Sequence, residues 1–408
     1  YPWSSRTFSE RHWTNMNLSN QRGFPALFLL AIVSLTISSC IGAGGVTANS
    51  IPPTDRLHPS INNVENLYLL APESMPVGVA VPAGRSKNSI LKSTVRQTTV
   101  NRHFSQITAE NIMKPSYLHP GEGTFFFEHA DALVDYAAKH NKTVHGHALI
   151  WHYGLANWMN SFTGDTANWT TMMTDHIAGI VSHFAASDTV VSWDVVNEAF
   201  ADTDNDDDGS NDLRKTIWLD NIGTGYLAAA FRAASAADPN AELYYNDYNI
   251  SGVPAKLNAV LNLVDQFQND PNPVPIHGIG FQMHVSLTWP DIDQIRESFA
   301  LAAATGLKVK ITELDIAVNT DRSRNPLSLT EFTDAVAIQQ RERYEAIVAA
   351  YMDEVPVAQR GGISVWGIAD PDNWLRRYNS LEWPLLFDGD LEPKPALQGF
   401  ADGLTEVD

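Results

Sequence analysis

The chain has 408 residues, 47 of them Asp or Glu against 27 Lys or Arg, for a formal net charge of −20. Its 44% apolar and 18% charged content is that of a globular protein and excludes general disorder, while the acidity excludes a nucleic-acid binder, which needs a basic face to replace phosphate counterions. A single cysteine excludes a disulfide framework and a cysteine-based zinc site.

In chain order, residues 1–15 read as neither a domain nor a targeting segment, and the true start is expected at Met16. Residues 16–40 read as a signal peptide. A polar stretch with Arg22 leads into FPALFLLAIVSLTI, from Phe24 to Ile37, which is too short for a bilayer span of about 20 residues and suits a signal h-region. The small residues of ISSC before the lone Cys40 resemble a bacterial lipobox, which would make Cys40 the lipidation site. Ordinary cleavage after Val46-Thr47-Ala48 is the alternative. Either route exports the protein, lipid-anchored at the outer membrane or cell surface of a bacterium or else secreted. A lipid on Cys40 is the membrane contact expected. Residues 41–60, rich in Gly, Pro and Ser, read as a flexible tether, and residues 61–408 as one domain.

Within that domain, strand-like runs alternate with longer helical patterns. The strands are expected at Val77–Val81, Gln106–Glu110, Thr143–Leu149, Val190–Glu198, Glu242–Asp247, His277–His284, Lys308–Asp315 and Gly362–Gly367. Segments such as HADALVDYAAKH carry apolar residues at three- and four-residue spacing between them. Eight such alternations predict an α/β fold, a single (β/α)8 TIM barrel. Polar residues close these strands: Glu110, His147, Glu198, Asn246, His284, Glu313 and Trp366. In a parallel barrel all those ends open on one face, where the active site is built.

Glu198 and Glu313 stand out because each ends an apolar strand, where an unpaired carboxylate costs desolvation free energy. Facing each other across a barrel mouth, two carboxylates can flank one glycosidic bond; about 5–5.5 Å apart, they act as nucleophile and acid/base with retention. An ionised carboxylate disfavours ionisation of its neighbour, so one of such a pair can keep its proton.

WDVVNEAF (Trp193–Phe200) and ITELDI (Ile311–Ile316) resemble the two signature strands of glycoside hydrolase family 10, the endo-β-1,4-xylanases. ITAENIMKP, GHALIWH, YYNDYNI, GIGFQMH, VWGIAD and PLLFDGDLEPKPA resemble further blocks of that family in its order, over roughly residues 75–400. The resemblance implies retaining hydrolysis of internal xylan bonds by a cofactor-free enzyme with no catalytic metal, acting on xylan and xylo-oligosaccharides as a monomer. It implies Glu313 as nucleophile, Glu198 as acid/base and Asn197 on the 2-hydroxyl of the sugar at the cleavage point. His284 is implied as partner of the nucleophile with Asp315 behind it, and Gln282 as support for the acid/base. Glu110, Asn111 and Lys114 would hold the next sugar, while His147, Trp151, Trp366 and Trp374 would wall the cleavage subsite, with Tyr248 in support. Trp158, Trp169, Trp193, Trp218 and Trp383 are expected to be structural.

Three positions depart from the family pattern: Gly154 stands for a substrate-touching glutamine, Ala156 for a proline, and Asn373 for Ser or Thr before Trp374. The acidic loop Ala201–Asp212 opens like a calcium loop but has Lys215 where an EF-hand needs glutamate, so it is expected to be solvated, with an irregular calcium site as the alternative. A non-catalytic glycan-binding protein on a decayed barrel is disfavoured, since both glutamates and their neighbours are present. Cellulose or mixed-linkage glucan remains open as the substrate.

Overall fold

Short runs of β-branched and other apolar residues, bounded by polar residues or glycine, give the strands. In the computed structural model, which describes residue 64 and residues 66–205 and 208–405, these are β1 (Val77–Val81), β2 (Gln106–Ala109), β3 (Thr143–Gly146), β4 (Val190–Asn197), β5 (Glu242–Asp247), β6 (Gly278–Phe281), β7 (Lys308–Ala317) and β8 (Arg360–Val365). Each pairs in parallel with the next. Strand β8 pairs back onto β1, with Ile363, Ser364 and Val365 against Val77, Gly78 and Val79, and so closes the barrel. The expected leader, tether and Cys40 lie outside the described residues.

One long helix follows each strand: α1 (Thr94–His103), α2 (Glu128–Lys139), α3 (Thr166–Phe184), α4 (Tyr226–Ala237), α5 (Pro254–Asn269), α6 (Ile292–Ala303), α7 (Asp334–Glu354) and α8 (Pro395–Thr405). Two start on capping boxes, Asp165 with Asn168 and Asp291 with Gln294, which satisfy the orphan N–H groups of the first turn. Helix α2 shows how the ring is buried: Ala130, Leu133, Val134 and Ala137 face the barrel while Lys139 ends the helix at its negative pole. This is the (β/α)8 barrel expected from the sequence.

The sixth strand differs. Expected as one run to His284, it stops at Phe281 and resumes as a short segment, His284–Ser286, paired with β7. Met283 between them has φ +60°, a left-handed conformation that an extended strand cannot carry. The break places Gln282 and His284 together at the mouth, where both line the cleft. Strand β7 runs past its expected end at Asp315 to Ala317, because this continuation of the sixth strand still offers it a partner.

Candidate active site

At the carboxyl ends of the strands lies an open cleft of about 700 Å³. It is lined by Glu110, Asn111, Lys114, His147, Trp151, Asn197, Glu198, Tyr248, Gln282, His284, Glu313, Trp366 and Trp374, so the barrel brings together all of the expected cleft residues. Asp315 stands behind them, as expected, against His284. Of the five tryptophans expected to be structural, Trp169, Trp193 and Trp218 are buried in the core, Trp158 donates to the His119 carbonyl, and Trp383 packs near Phe332.

Glu313 is almost wholly buried. Its Oε1 accepts from Asn246 Nδ2 at 2.8 Å, and its Oε2 lies 3.2 Å from His284 Nε2. His147 Nδ1 is 4.0 Å from Oε1. Burial pushes the carboxyl up, but His147 and His284 outweigh it and hold Glu313 below the ordinary glutamate range, so it is ionised at neutral pH. On the far side of the ring, His284 Nδ1 sits 2.8 Å from Asp315 Oδ2, and that same oxygen accepts from Trp374 Nε1 at 2.7 Å.

Burial pushes His284 down, but Asp315 and Glu313 raise it to about 9, so it stands as an imidazolium donating to two carboxylates. The folded-state value lies above the free histidine's, so this stabilisation is complete below about pH 6.5 and is lost as pH rises through about 9. It amounts to about 3 kcal/mol. The Tm advantage of the wild type over His284→Gln is therefore expected to be large at pH 6 and to shrink by pH 9.5. Thermal unfolding of both proteins across that range checks this, and a gap independent of pH would contradict it.

Glu198 follows the last residue of β4 with φ +57°, a left-handed conformation costing roughly 1–2 kcal/mol for a residue with a Cβ. Its backbone N–H donates to the Asn246 carbonyl at 2.8 Å, and Arg214 Nε donates to its own carbonyl at 3.1 Å. The carboxylate accepts from Trp151 Nε1 at 2.8 Å and from Gln282 Nε2 at 2.9 Å, while His152 Nδ1 lies 3.8 Å away. These anchors hold the side chain at the cleft wall with 12% of its surface exposed, against 5% for Glu313, so solvent reaches the first more readily than the second.

A buried amide chain joins the two carboxylates. Gln282 Nε2 reaches Asn197 Oδ1 at 3.2 Å, and Asn246 Nδ2 donates to the same oxygen at 2.9 Å and to Glu313. Asn246 Oδ1 in turn accepts from Thr312 at 2.7 Å. With Asn197 Oδ1 fixed by two donors, its Nδ2 is the donating end. Asn246 has no expected role from the sequence beyond closing its strand, yet it touches Asn197, Glu198 and Glu313 at once. Gly280 makes this possible: a Cβ there would lie 2.5 Å from Asn246 Oδ1.

Arg214, also unforeseen, donates to the Phe200 carbonyl and the Tyr248 hydroxyl. Its place in a loop outside any strand end left no periodic signal. The Tyr248 hydroxyl in turn donates to Asp202 Oδ2 at 2.9 Å, and its ring lies under the buried Lys256 ammonium, whose Nζ is 3.5 Å from the ring centre.

At the other wall, Lys114 Nζ donates to Asn111 Oδ1 at 3.2 Å and lies 5.1 Å from the centre of the Trp151 ring. Burial pushes the Glu110 carboxyl up to about 7, with Asp372 adding to it and Lys114 opposing. The three departures read clearly in this setting. Gly154 has φ +66°, and a Cβ on it would lie 3.6 Å from Lys114, so its absence opens the cleft beside that lysine. Ala156 has φ −72°, close to the value proline would impose, so the backbone course is kept. Asn373 accepts from Arg376 N and caps the turn Trp374–Arg377, as Ser or Thr would.

In the acidic loop, Asp204 and Asp208 accept from the N–H groups of Gly209 and Ser210, and Asp212 accepts from Asn205. These carboxylates brace turns.

A closed (β/α)8 barrel holding two cleft carboxylates at its C-terminal mouth, each fixed by its own donors, defines a glycoside hydrolase of the two-carboxylate class. More narrowly, the chain belongs to glycosyl hydrolase family 10, whose family model matches residues 67–403. Endo-beta-1,4-xylanase Xyn10C of Cellvibrio japonicus is 42% identical over 378 residues, covering 89% of this chain and 61% of that protein. Endo-1,4-beta-xylanase A of Cellvibrio japonicus (strain Ueda107) is 46% identical over 347 residues, covering 81% and 55%. The chain thus spans little more than half the length of these two relatives.

Among solved structures, native xylanase 10C of Cellvibrio japonicus superposes with a TM-score of 0.80 at 42% identity, over 85% of this chain and 74% of that one. A mutant of the same enzyme, solved in complex with xylopentaose, gives 0.80 as well, over 85% and 70% at 42% identity.

Proposed function

We propose that this chain is an endo-1,4-β-xylanase, hydrolysing internal β-1,4 bonds of xylan with retention of configuration. The observation that carries it is the asymmetry of the pair: buried Glu313 kept ionised by His284 and His147, and Glu198 hung from two N–H donors at the open wall of the same cleft. In the first step a Glu313 oxygen attacks the anomeric carbon while Glu198 gives its proton to the departing glycosidic oxygen. In the second, Glu198 takes a proton from water, whose oxygen displaces Glu313 and regenerates the free enzyme.

Asn197 binds the 2-hydroxyl, held for that task by Asn246 and Gln282. Glu110, Asn111 and Lys114 bind the neighbouring sugar, and His147, Trp151, Trp366 and Trp374 shape the cleavage subsite. The xylanase names of the relatives and the xylopentaose in one solved structure support the substrate. The apolar run before Cys40 supports an exported protein whose residues 16–40 are a leader, 41–60 a tether and 61–408 the catalytic domain. A lipid anchor at Cys40 and a monomeric enzyme complete this reading.

Exoglucanase XynX of Acetivibrio thermocellus, 34% identical over 351 residues, makes cellulose the necessary comparison. Reducing ends are expected to appear from xylan at least tenfold faster than from cellulose or mannan. Anomeric NMR of the earliest product is expected to show the β configuration. An α product would exclude a two-step mechanism, and a faster rate on cellulose would exclude the xylanase.

A further inference from the structure

Beside the catalytic cleft lies a second chamber of about 420 Å³, which shares His284, Tyr248, Arg324 and Tyr378 with it. Its volume falls in the range of about 300–1,000 Å³ usual for small-ligand sites. One wall is the loop after β7, which projects Arg322 and Arg324. Arg322 lies 4.4 Å from the centre of the Trp289 ring; Arg324 lies 4.0 Å from that of Trp374 and 5.6 Å from that of Tyr378. A third guanidinium, Arg377, lies 4.8 Å from the same Trp374 ring.

In a chain of net charge −20, cations ought to find carboxylates. Yet among the described residues no ion pair or hydrogen bond is made by the guanidinium of Arg322, Arg324 or Arg377. The three carboxylates lining the chamber each have other partners, although Asp315 Oδ1 is without one and the Asp315 charge attracts the Arg324 guanidinium. Asp315 accepts from His284 and Trp374; Asp202 accepts from Tyr248 and Lys256; Asp321 accepts from Asn325. A guanidinium stacked on a ring uses its face, which leaves its in-plane N–H fork for a carboxylate. Two guanidiniums on one indole also repel each other, a cost that an anion would offset.

The loop is built to hold them there. Asp321 accepts from the backbone N–H and side-chain amide of Asn325, closing a turn in which Arg324 adopts φ +66°. Below it, the buried Glu382 accepts from Val318 N at 2.8 Å and Asn319 N at 3.1 Å, and from the Thr320 hydroxyl. A left-handed non-glycine residue and a buried carboxylate are costly ways to shape a surface loop, and what they secure is the place of the two arginines.

We propose that Arg322 and Arg324 bind the carboxylate of an acidic branch sugar, a uronic acid carried by the xylan main chain, and that the enzyme prefers substrate so decorated. This rests on the xylanase reading above. Long-range repulsion by the acidic surface is screened beyond about 8 Å at physiological salt, so acceptance of such a branch is decided by short-range groups like these.

The test compares kcat/KM on a glucuronate-branched xylan fragment and on the same fragment after chemical reduction of its carboxyl to the alcohol. The ratio cancels any common effect of substitution on the cleft. The wild type is expected to favour the acidic fragment at least tenfold, with the advantage falling as salt is raised. Arg322→Gln and Arg324→Gln are each expected to cut the ratio about threefold, and the double variant to bring it near one, at unchanged Tm. A wild-type ratio near one, or a ratio unaltered in the double variant, overturns the inference while leaving the xylanase reading intact. Failure to cleave either fragment or linear xylan overturns both.

Discussion

Glu313→Ala is expected to reduce kcat on xylan by roughly 10³-fold or more, because no other group in the cleft can take the anomeric carbon. The first sphere around Glu313 consists of Asn246, His284 and His147, two of which are tied to other carboxylates: His284 to Asp315 and His147 to Asp194, each at 2.8 Å. None is an alternative nucleophile, and a water replacing the carboxylate would have no base aimed along the same path.

Binding of xylo-oligosaccharide is expected to persist, because the residues assigned to sugar contacts sit on other strands. The fold should hold too, since the substitution removes a buried charge and the His284 imidazolium that offset it keeps Asp315 as its partner at 2.8 Å. Steady-state kinetics on xylan with calorimetric binding of xylotetraose separates the two effects. Activity above a few per cent of wild type would remove Glu313 from the role.

What the sequence made legible was the geometry that strands impose by themselves. Buried β-strands leave no polar residue without a reason, so Glu110, His147, Glu198 and Glu313 announced the mouth of the barrel by breaking apolar runs. Relations across strands were hidden. Asn246 was visible as a strand end, but its contacts with Asn197 and Glu313 depend on the register between β4, β5 and β7 and on the space left by Gly280.

The break after Phe281 was also hidden. Met283 carries none of the glycine or proline that marks a turn, and its φ of +60° follows from the tertiary positions of Gln282 and His284. The arginines of the loop after β7 lie in a segment without periodicity, where a sequence shows charges but not what they face. Conversely, the departures at Ala156 and Asn373 were legible as substitutions, but what they do to the backbone was not. In the structure the backbone angle and the cap they replace are reproduced.

Glu198→Ala is expected to cost about 10²–10⁴-fold on xylan, the usual worth of a general acid, and the loss should depend on the leaving group. A departing xylose unit leaves as an alkoxide unless it is protonated, so xylan needs the acid fully. An aryl xylobioside with an acidic phenol leaves unaided, and Glu313, still held by Asn246 and His284, can form the glycosyl-enzyme at close to the wild-type rate. The second step then lacks the base that activates water, so the intermediate accumulates.

Three signatures follow together: a burst of phenol equal to the enzyme concentration, a slow steady state, and a KM far below the wild type's. Removing Glu198 also strips Trp151 Nε1 and Gln282 Nε2 of an acceptor, which would cost stability but would do so equally for every substrate. Rapid-mixing kinetics across a series of phenols therefore isolates the proton-transfer role. Equal losses on xylan and on the most acidic phenol, with no burst, would place Glu198 among the supporting residues and require a different acid in the cleft.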